Sequence, residues 1–389
     1  MSLRSKRRSH GIIVGVCLAA VALATIAAVN SEPTQASTVK TNTSGAGATS
    51  AGSAAHTLHF GIAYGDTLLG ASSGTVSAAL DDAVKLGAKW IRVDLPWVAI
   101  QPYDETTYDW QSFDELATAA RSRHLNIDPI LDQVPQWARA SSCRTNYQCP
   151  PADPNAFATF AAAAAAHYAP MGVDTWEIWN EPNIDAWWPK PDPAAYERLL
   201  VDTSKAIRAV EPHSFLILGG LAAVPTDPGL NYMSAYDFIA AVGKLGGTHY
   251  VNAVGFHPYS LPVMPSAATN FANISSTPYN LVAALALSGT PNVSIWVTES
   301  GADVRAAAND PNATKAATKQ AEQVQADYAT NLVQTVAANT NVGADFWYAD
   351  QDDPQYNLYY GLRRANGTFR PAFDALKTAI AQCACNSGN

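Results

Sequence analysis

The segment TWEIWNEP, residues 175–182, indicates how this chain folds and where its chemistry lies. Two tryptophans and an isoleucine make it typical of a buried strand, yet it ends in an amide, Asn180, and a carboxylate, Glu181. Pro182 has no backbone N–H to donate, so the strand is predicted to stop there. We therefore expect an acid at the exposed end of an apolar strand.

Runs of this kind recur from residue 58 onward, and they alternate with Ala-rich or amphipathic segments of helix length. Strict alternation predicts a parallel sheet with crossover helices. Eight such units in about 330 residues fit a closed (β/α)8 TIM barrel, an α/β fold. A doubly wound open sheet is disfavoured, because no glycine-rich phosphate-binding fingerprint follows the first run. The predicted strands are 58–64, 90–97, 126–132, 175–182, 215–221, 251–259, 294–301 and 344–351.

Polar and aromatic side chains collect at the C-terminal ends of these predicted strands. TIM barrels place their active sites at this end, so these residues are the candidates for a polar pocket. They are Tyr64, the segment from Arg92 to Trp97, Asp132, Asn180, Glu181, Gly219, Gly220, His257, Tyr259, Glu299 and the segment from Trp347 to Asp352.

Two glutamates stand out in this set, Glu181 on the fourth predicted strand and Glu299 on the seventh. In a closed eight-stranded barrel, these strands lie across the mouth from each other. Two carboxylates that face one pocket repel, so one can hold a proton while the other is ionised. Cleavage of a glycosidic bond needs such a pair, because one group protonates the leaving oxygen and the other attacks the sugar.

The sequence resembles clan A of the retaining glycoside hydrolases, which includes cellulases, mannanases and β-xylosidases. The resemblance covers residues 57–380 and is strongest with families 39 and 5, including bacterial members that degrade exopolysaccharides. It is carried by Asn180-Glu181-Pro182, Glu299 in WVTESG (296–301), Arg92, HPY (257–259), Trp347 and the closing GLRRANGTFRPAFDAL (361–376).

The resemblance implies a role for each of these residues. Glu181 would be the general acid/base and Glu299 the nucleophile, in a mechanism that retains the anomeric configuration. Asn180 would bind the sugar 2-hydroxyl, and Tyr259 would donate to Glu299 and keep it anionic. Three further residues would line the pocket, with Arg92 acting by charge, His257 lying near the acid/base and Trp347 forming a platform for a sugar ring.

Several assignments stay open at the level of sequence. Arg92 could pair with Glu177 instead of Glu299, since strand alternation puts Glu177 on the same side as Glu181 and about 13 Å deeper. His257 could be a core histidine. Four tryptophans near strand ends could form sugar subsites or pack loops, namely Trp97, Trp137, Trp187 and Trp188.

Further acids lie near the predicted mouth. Asp94, Asp128 and Asp132 could each hydrogen-bond sugar hydroxyls. The acidic segment DQDD (350–353) could bind calcium, but its ligand spacing is incomplete, so a solvated loop is favoured. No His and Asp ligand set is clustered at strand ends, and we expect neither a metal nor a cofactor.

The N-terminal segment is predicted to direct export. A basic cluster at residues 4–8 precedes an uncharged apolar run at 11–29. That run is long for a cleaved signal and close to the roughly 20 residues needed to span a bilayer. Residues 1–36 are therefore predicted to be a signal peptide or an N-terminal signal anchor. Residues 37–56, rich in Ser, Thr, Gly and Ala, are predicted to be a flexible linker, and residues 57–385 the barrel.

Cysteine usage agrees with an exported protein. Four cysteines remain outside the predicted signal, and four allow three pairings. Cys143 and Cys149 flank a short loop, so we predict that disulfide, with Cys383 and Cys385 as the other pair. A zinc site is disfavoured, because the 143/149 spacing is long for zinc and no His accompanies it.

Charge and composition narrow the function further. The chain has 389 residues, a formal net charge of −9 and a pI near 5.3, which argues against a nucleic-acid partner. We predict a secreted or cell-surface retaining glycosidase, monomeric, that cleaves the β-linked bonds of a polysaccharide by double displacement. The N-terminal segment could tether it to the membrane. The alternative, a non-catalytic carbohydrate-binding barrel, is disfavoured because both glutamates and their supporting residues are intact.

Overall fold

The computed structural model describes residues 57–305 and 314–386. The predicted signal (1–36) and the predicted linker (37–56) therefore fall outside the described residues. Within the described part, no helix combines the length and the hydropathy needed to cross a bilayer.

Eight parallel strands form a closed barrel in which each strand pairs with its neighbour in sequence and β1 pairs with β8. This confirms the predicted (β/α)8 fold. The strands are β1 (His59–Gly65), β2 (Trp90–Pro96), β3 (Asn126–Asp132), β4 (Thr175–Ile178), β5 (Phe215–Ala222), β6 (Ala253–His257), β7 (Ser294–Ser300) and β8 (Val342–Tyr348).

The helices surround the barrel, and many begin at a side chain that caps the first turn. Ser72, Asp192 and Thr314, for example, each accept a backbone N–H of the helix that follows. The helices are α1 (Ser73–Leu86), α2 (Trp97–Ile100), α3 (Gln111–Arg121), α4 (Pro154–Tyr168), α5 (Pro193–Val210), α6 (Ala235–Lys244), α7 (Ala272–Ser275), α8 (Leu281–Leu287), α9 (Lys315–Ala337) and α10 (Pro371–Gln382).

Two separate apolar clusters hold the fold together. The larger one fills the space between strands and helices. The smaller one lies inside the barrel and includes Ile217, Trp296 and Phe346. At the N-terminal end of the barrel, Trp296 stacks on Phe215 and meets Trp90 edge-on, with ring centroids 4.9 and 5.4 Å apart. The interior is therefore closed at one end by aromatic rings, which leaves the C-terminal end for the polar residues.

Two strand ends differ from the sequence prediction by three residues or more. β4 ends at Ile178 rather than at Pro182, because Trp179 and Glu181 take up positive φ angles of 74° and 40° that a strand cannot contain. β8 ends at Tyr348 rather than at residue 351. After it, the backbone pairs with the closing segment, where the Leu362 N–H donates to the Ala349 carbonyl at 3.1 Å.

The turn after β4 depends on close backbone contact with β5. The Trp179 carbonyl approaches Gly219 so closely that a Cβ on Gly219 would lie 2.1 Å from that oxygen. The N–H of Glu181 then donates to the Gly220 carbonyl at 2.8 Å. Glycine at 219 therefore lets the turn carry Glu181 over the end of β5.

Both predicted disulfides are present. Cys143 is bonded to Cys149 in the loop after β3, and Cys383 is bonded to Cys385 after α10. The four cysteines consequently leave no thiolates for the zinc site that was the alternative.

Gly219→Ala should lower the free energy of unfolding by about 2–3 kcal/mol, since the added methyl group has to displace the backbone of the β4 turn. Urea unfolding followed by tryptophan fluorescence measures the change. Gly74→Ala in α1 is the matched control, because its Cβ would have no neighbour nearer than Ser72 Oγ at 3.9 Å. Equal stability of the two variants would contradict this account of the turn.

Candidate active site

A buried ion pair between Arg92 of β2 and Glu177 of β4 forms the base of the site. Arg92 Nε donates to Glu177 Oε2 at 2.7 Å, and Arg92 Nη2 donates to Oε1 at 3.0 Å. Both residues are essentially inaccessible to solvent. The Gly220 N–H also donates to Glu177 Oε1, at 2.6 Å. Glu177 is thus satisfied by the barrel itself, as an acid deep in the interior must be.

The same guanidinium also reaches the mouth of the barrel. Arg92 Nη1 donates to Glu299 Oε1 at 2.7 Å, and Nη2 donates to Asn180 Oδ1 at 2.8 Å. Arg92 therefore contacts both of the partners that the sequence left open, Glu177 and Glu299. A single cation joins Glu177, Glu299 and Asn180, and it fixes two residues of the mouth relative to the barrel interior.

Glu299 of β7 is held in its ionised form. Burial alone would raise its pKa, but the nearby His257 and Arg92 charges and hydrogen bonds from Tyr259 and Arg92 outweigh burial and lower it. Tyr259 donates its hydroxyl to Glu299 Oε2 at 2.8 Å. Burial and the charge of Glu299 raise the pKa of Tyr259 well above its usual range, so the phenol keeps the proton that it donates.

Glu181 lies in a different environment from Glu299. Its Oε1 is 2.8 Å from His257 Nδ1, and the other ring nitrogen of His257 is 3.1 Å from Thr298 Oγ1. His257 is buried, as a core histidine would be, but its ring also contacts the carboxylate of Glu181. The same Nδ1 is 3.7 Å from Glu299 Oε2, so the two glutamates share one histidine neighbour and face each other across it.

The histidine position depends on a second glycine of β5. A Cβ on Gly220 would lie 2.0 Å from His257 Nε2, so no other residue leaves room for the imidazole there. Gly219 thus makes room for the turn after β4, and Gly220 makes room for His257.

A family model described as Cellulase (glycosyl hydrolase family 5) matches residues 42–352. The chain belongs to glycoside hydrolase family 5. This places it in clan A, as the resemblance implied, and family 39 enzymes of the same clan are among its structural neighbours.

The individual relatives of this family 5 chain match it either over a short segment or at low sequence identity. A β-xylosidase from Geobacillus stearothermophilus is 35% identical over 111 residues, which cover 25% of this chain and 21% of the relative. A family 39 glycoside hydrolase from Bacteroides cellulosilyticus WH2 aligns with a TM-score of 0.64 and 20% identity, covering 84% of this chain and 64% of that one. A monomeric β-xylosidase from Caulobacter crescentus CB15 aligns with a TM-score of 0.63 and 19% identity, covering 83% and 68%. The chain spans about a fifth of the β-xylosidase and under two thirds of the family 39 enzyme, and at these identities the structural alignments concern the fold.

The structure corrects the placement of Trp347. This residue is 1% exposed and packs among the helices, where its ring meets Tyr328 of α9 edge-on at 6.2 Å. Its Nε1 donates to the Tyr360 carbonyl. Trp347 therefore does not form a platform in the cleft of this family 5 barrel. Tyr348, the next residue, belongs to the cluster inside the barrel and lies near Glu299.

The sequence contained a signal for this difference. Ala344, Phe346 and Tyr348 alternate along β8, and all three belong to the inner cluster. Side chains on a strand alternate between its two faces, so the inward set excludes Trp347.

Two of the other four candidate tryptophans also belong to the packing of the barrel. Trp97 is fully buried and stacks on Phe160 of α4, and Trp188 is buried against Trp179. Trp137 and Trp187 are partly exposed. Trp137 donates to the Gln101 carbonyl at 2.9 Å, and the carbonyl of Trp187 accepts from Trp179 Nε1 at 2.9 Å. Only Trp137 and Trp187 keep enough accessible surface to contact a ligand.

The other acids named from the sequence divide into two groups. Asp94, Asp128 and Asp132 lie on β2 and β3 and are almost inaccessible. Acids of the DQDD segment instead take structural roles, since Asp352 pairs with Arg370 at 2.6 Å and Asp353 caps the turn that follows it. Within residues 57–305 and 314–386, no group of three or more His, Cys, Asp or Glu residues could hold a metal ion.

Tyr259→Phe should raise the pKa of Glu299, because it removes a hydrogen bond that favours the charged carboxylate. The acidic limb of the pH profile of kcat/KM, which reports ionisation of the free enzyme, should move to higher pH. Tyr360→Phe is the control, because the Tyr360 ring packs beside Tyr259 with centroids 5.6 Å apart. A shift of the same size in both variants would contradict a specific role for the Tyr259 hydroxyl.

Proposed function

We propose that this family 5 chain is an exported retaining glycosidase that cleaves β-linked bonds of a polysaccharide by double displacement. The observation that carries the proposal is the contrast between its two mouth carboxylates. Glu299 is fixed by the Arg92 guanidinium and the Tyr259 hydroxyl, while Glu181 Oε1 lies 2.8 Å from the Nδ1 of His257. Such a contrast separates a nucleophile from an acid/base.

In the first step, Glu299 attacks the anomeric carbon as the ionised nucleophile. Asn180 is oriented for the sugar 2-hydroxyl, because the Arg92 guanidinium can only donate and therefore fixes the amide oxygen of Asn180. That leaves the amide nitrogen of Asn180 to contact the sugar. A hydrogen bond to the 2-hydroxyl strengthens as the oxocarbenium-like transition state forms.

Glu181 gives its proton to the leaving oxygen in this step. In the second step it takes a proton from the water that hydrolyses the glycosyl-enzyme. Its backbone, held to Gly220, places it on the turn rather than inside the barrel. His257 lies against this carboxyl through its Nδ1.

The distances favour retention over inversion. One oxygen from each glutamate lies near the same His257 nitrogen, at 2.8 and 3.7 Å, so the closest oxygens cannot be more than about 6.5 Å apart. Inverting enzymes need a separation of about 6.5–9.5 Å between the carboxyl groups to admit a water, whereas retaining enzymes use about 5–5.5 Å.

The proposed substrate and location rest on the relatives, the N-terminal segment and the disulfides. The β-xylosidases among its relatives support a β-linked glycan. The basic and apolar N-terminal segment supports export to the cell surface or beyond, with a membrane tether if that segment is retained, and the two disulfides agree. The acidic net charge argues against nucleic acid, and we propose that the protein acts as a monomer.

Two variants test the assignment of roles. Glu299→Gln should abolish turnover of polysaccharide and of activated aryl β-glycosides, because the nucleophile serves both. Glu181→Ala should lower kcat on polysaccharide about 10²–10⁴-fold, yet keep much of the first step on activated aryl glycosides, whose leaving groups need no proton.

Release of reducing ends from a panel of β-linked polysaccharides and release of the aryl group measure these effects. Glu115→Gln, an exposed acid on α3, is the control. Full activity of both site variants would disprove the assignment. Sugar binding without turnover by the wild-type protein on every substrate would favour the non-catalytic barrel.

A further inference from the structure

The loop between β5 and α6 contains a partly exposed tyrosine, Tyr232, that the proposed chemistry does not use. This loop folds back on itself, because the Asp227 N–H donates to the Tyr232 carbonyl and the Tyr232 N–H donates to the Asp227 carbonyl, both at 3.0 Å. The Asp227 side chain closes the turn by accepting the Gly229 N–H at 2.8 Å. Tyr232 therefore lies at the base of a short hairpin rather than in an irregular segment.

Asn183 fixes this hairpin to the turn that carries Glu181. Asn183 is fully buried, and its amide nitrogen donates to the carbonyls of Ala222 and Met233 at 2.9 and 2.8 Å. Its amide oxygen accepts the Ala222 N–H at 3.0 Å, and its backbone carbonyl accepts the Met233 N–H at 2.9 Å. One residue thus joins the acid/base turn, the end of β5 and the residue that follows Tyr232.

This arrangement brings Tyr232 close to Glu181. The two hydrogen bonds between Asn183 and Met233 hold the acid/base turn and the hairpin side by side. Partial burial and the charges of Asp185 and Glu181 raise the pKa of Tyr232, as expected for a phenol beside these acids. Because Tyr232 remains partly exposed, it can contact a ligand that lies next to Glu181.

Tyr232 lies on the leaving-group side of the site. In the proposed mechanism, Glu181 protonates the oxygen of the departing sugar, whereas Glu299 and Asn180 contact the sugar that reacts. Tyr232 follows β5, the strand that supports the Glu181 turn, and Glu299 belongs to β7. A tyrosine ring offers an apolar face on which the CH face of a pyranose can pack. The ring is thus placed to hold the departing unit while Glu181 gives it a proton.

We propose that the ring of Tyr232 is the platform for the leaving-group sugar unit. This inference rests on the proposed glycosidase function and adds a residue that selects the leaving group. The same platform would hold an acceptor sugar that replaces water in the second step. In that transfer an acceptor hydroxyl attacks the anomeric carbon, its proton passes to Glu181 and the bond to Glu299 breaks.

Partition of the glycosyl-enzyme between water and an acceptor tests this inference. The donors are dinitrophenyl β-glycosides, whose leaving group needs no proton, and the acceptor is the β-1,4-linked disaccharide of the sugar that is turned over fastest. Tyr232→Ala should lower the ratio of transfer to hydrolysis about tenfold, because the acceptor loses its platform. Tyr232→Phe, which keeps the ring, should stay within about twofold of wild type. The ratio does not depend on how much of a variant is folded.

Tyr250→Ala is the control, because Tyr250 is also partly exposed but precedes β6, at the opposite end of the barrel. Its ratio should equal that of wild type. Hydrolysis without transfer by wild type, an unchanged ratio in Tyr232→Ala, or an equal loss in Tyr232→Phe or Tyr250→Ala overturns the platform. If aryl release continues in that case, the proposed glycosidase function stands. No aryl release by wild type from any donor would instead overturn the hydrolytic function, and the platform with it.

Discussion

The guanidinium of Arg92 is the interaction on which the site depends. It is buried at the centre of the barrel, and it bonds to Glu177 below and to Glu299 and Asn180 above. A buried cation of this kind is tolerated only when each donor has a partner, and removing one partner leaves an uncompensated charge. Glu177 thus anchors Arg92, and Arg92 in turn orients two residues that contact the sugar in the proposed mechanism. The positions of Glu299 and Asn180 at the mouth are therefore set from within the barrel.

The backbone between β4 and β5 supplies the other half of the arrangement. Glu181 is carried on a turn with positive φ angles, and that turn fits because Gly219 allows the Trp179 carbonyl to approach. Gly220 makes room for His257, and its carbonyl holds the Glu181 backbone. The two glutamates therefore reach the mouth by different means. Glu299 extends from a regular strand into a fixed network of donors, whereas Glu181 lies on a turn with positive φ angles beside the His257 ring.

The excess of acid in the barrel gives the two sides of the mouth different chemical characters. Near Glu299, one arginine, one histidine and one phenol keep a carboxylate ionised despite its burial. Along β1 to β3, no basic side chain of the described residues forms an ion pair with Asp66, Asp94 or Asp132, and burial raises their pKa values. One side thus holds an ionised nucleophile, and the other holds carboxyls in which burial favours the protonated form.

The sequence by itself determined the barrel, the two disulfides and the strand-end positions of Glu181 and Glu299, because these follow from local periodicity, chain spacing and residue type. It could not determine which carboxylates Arg92 contacts. Its partners Glu177 and Glu299 lie 85 and 207 residues away in the chain, and they meet Arg92 only inside the closed barrel. Strand alternation along β8 identifies Tyr348, rather than Trp347, as the aromatic residue that faces the barrel interior. The proximity of Asp66, Asp94 and Asp132 emerges only in the tertiary structure, because these acids are far apart in the chain and come together only after the barrel closes.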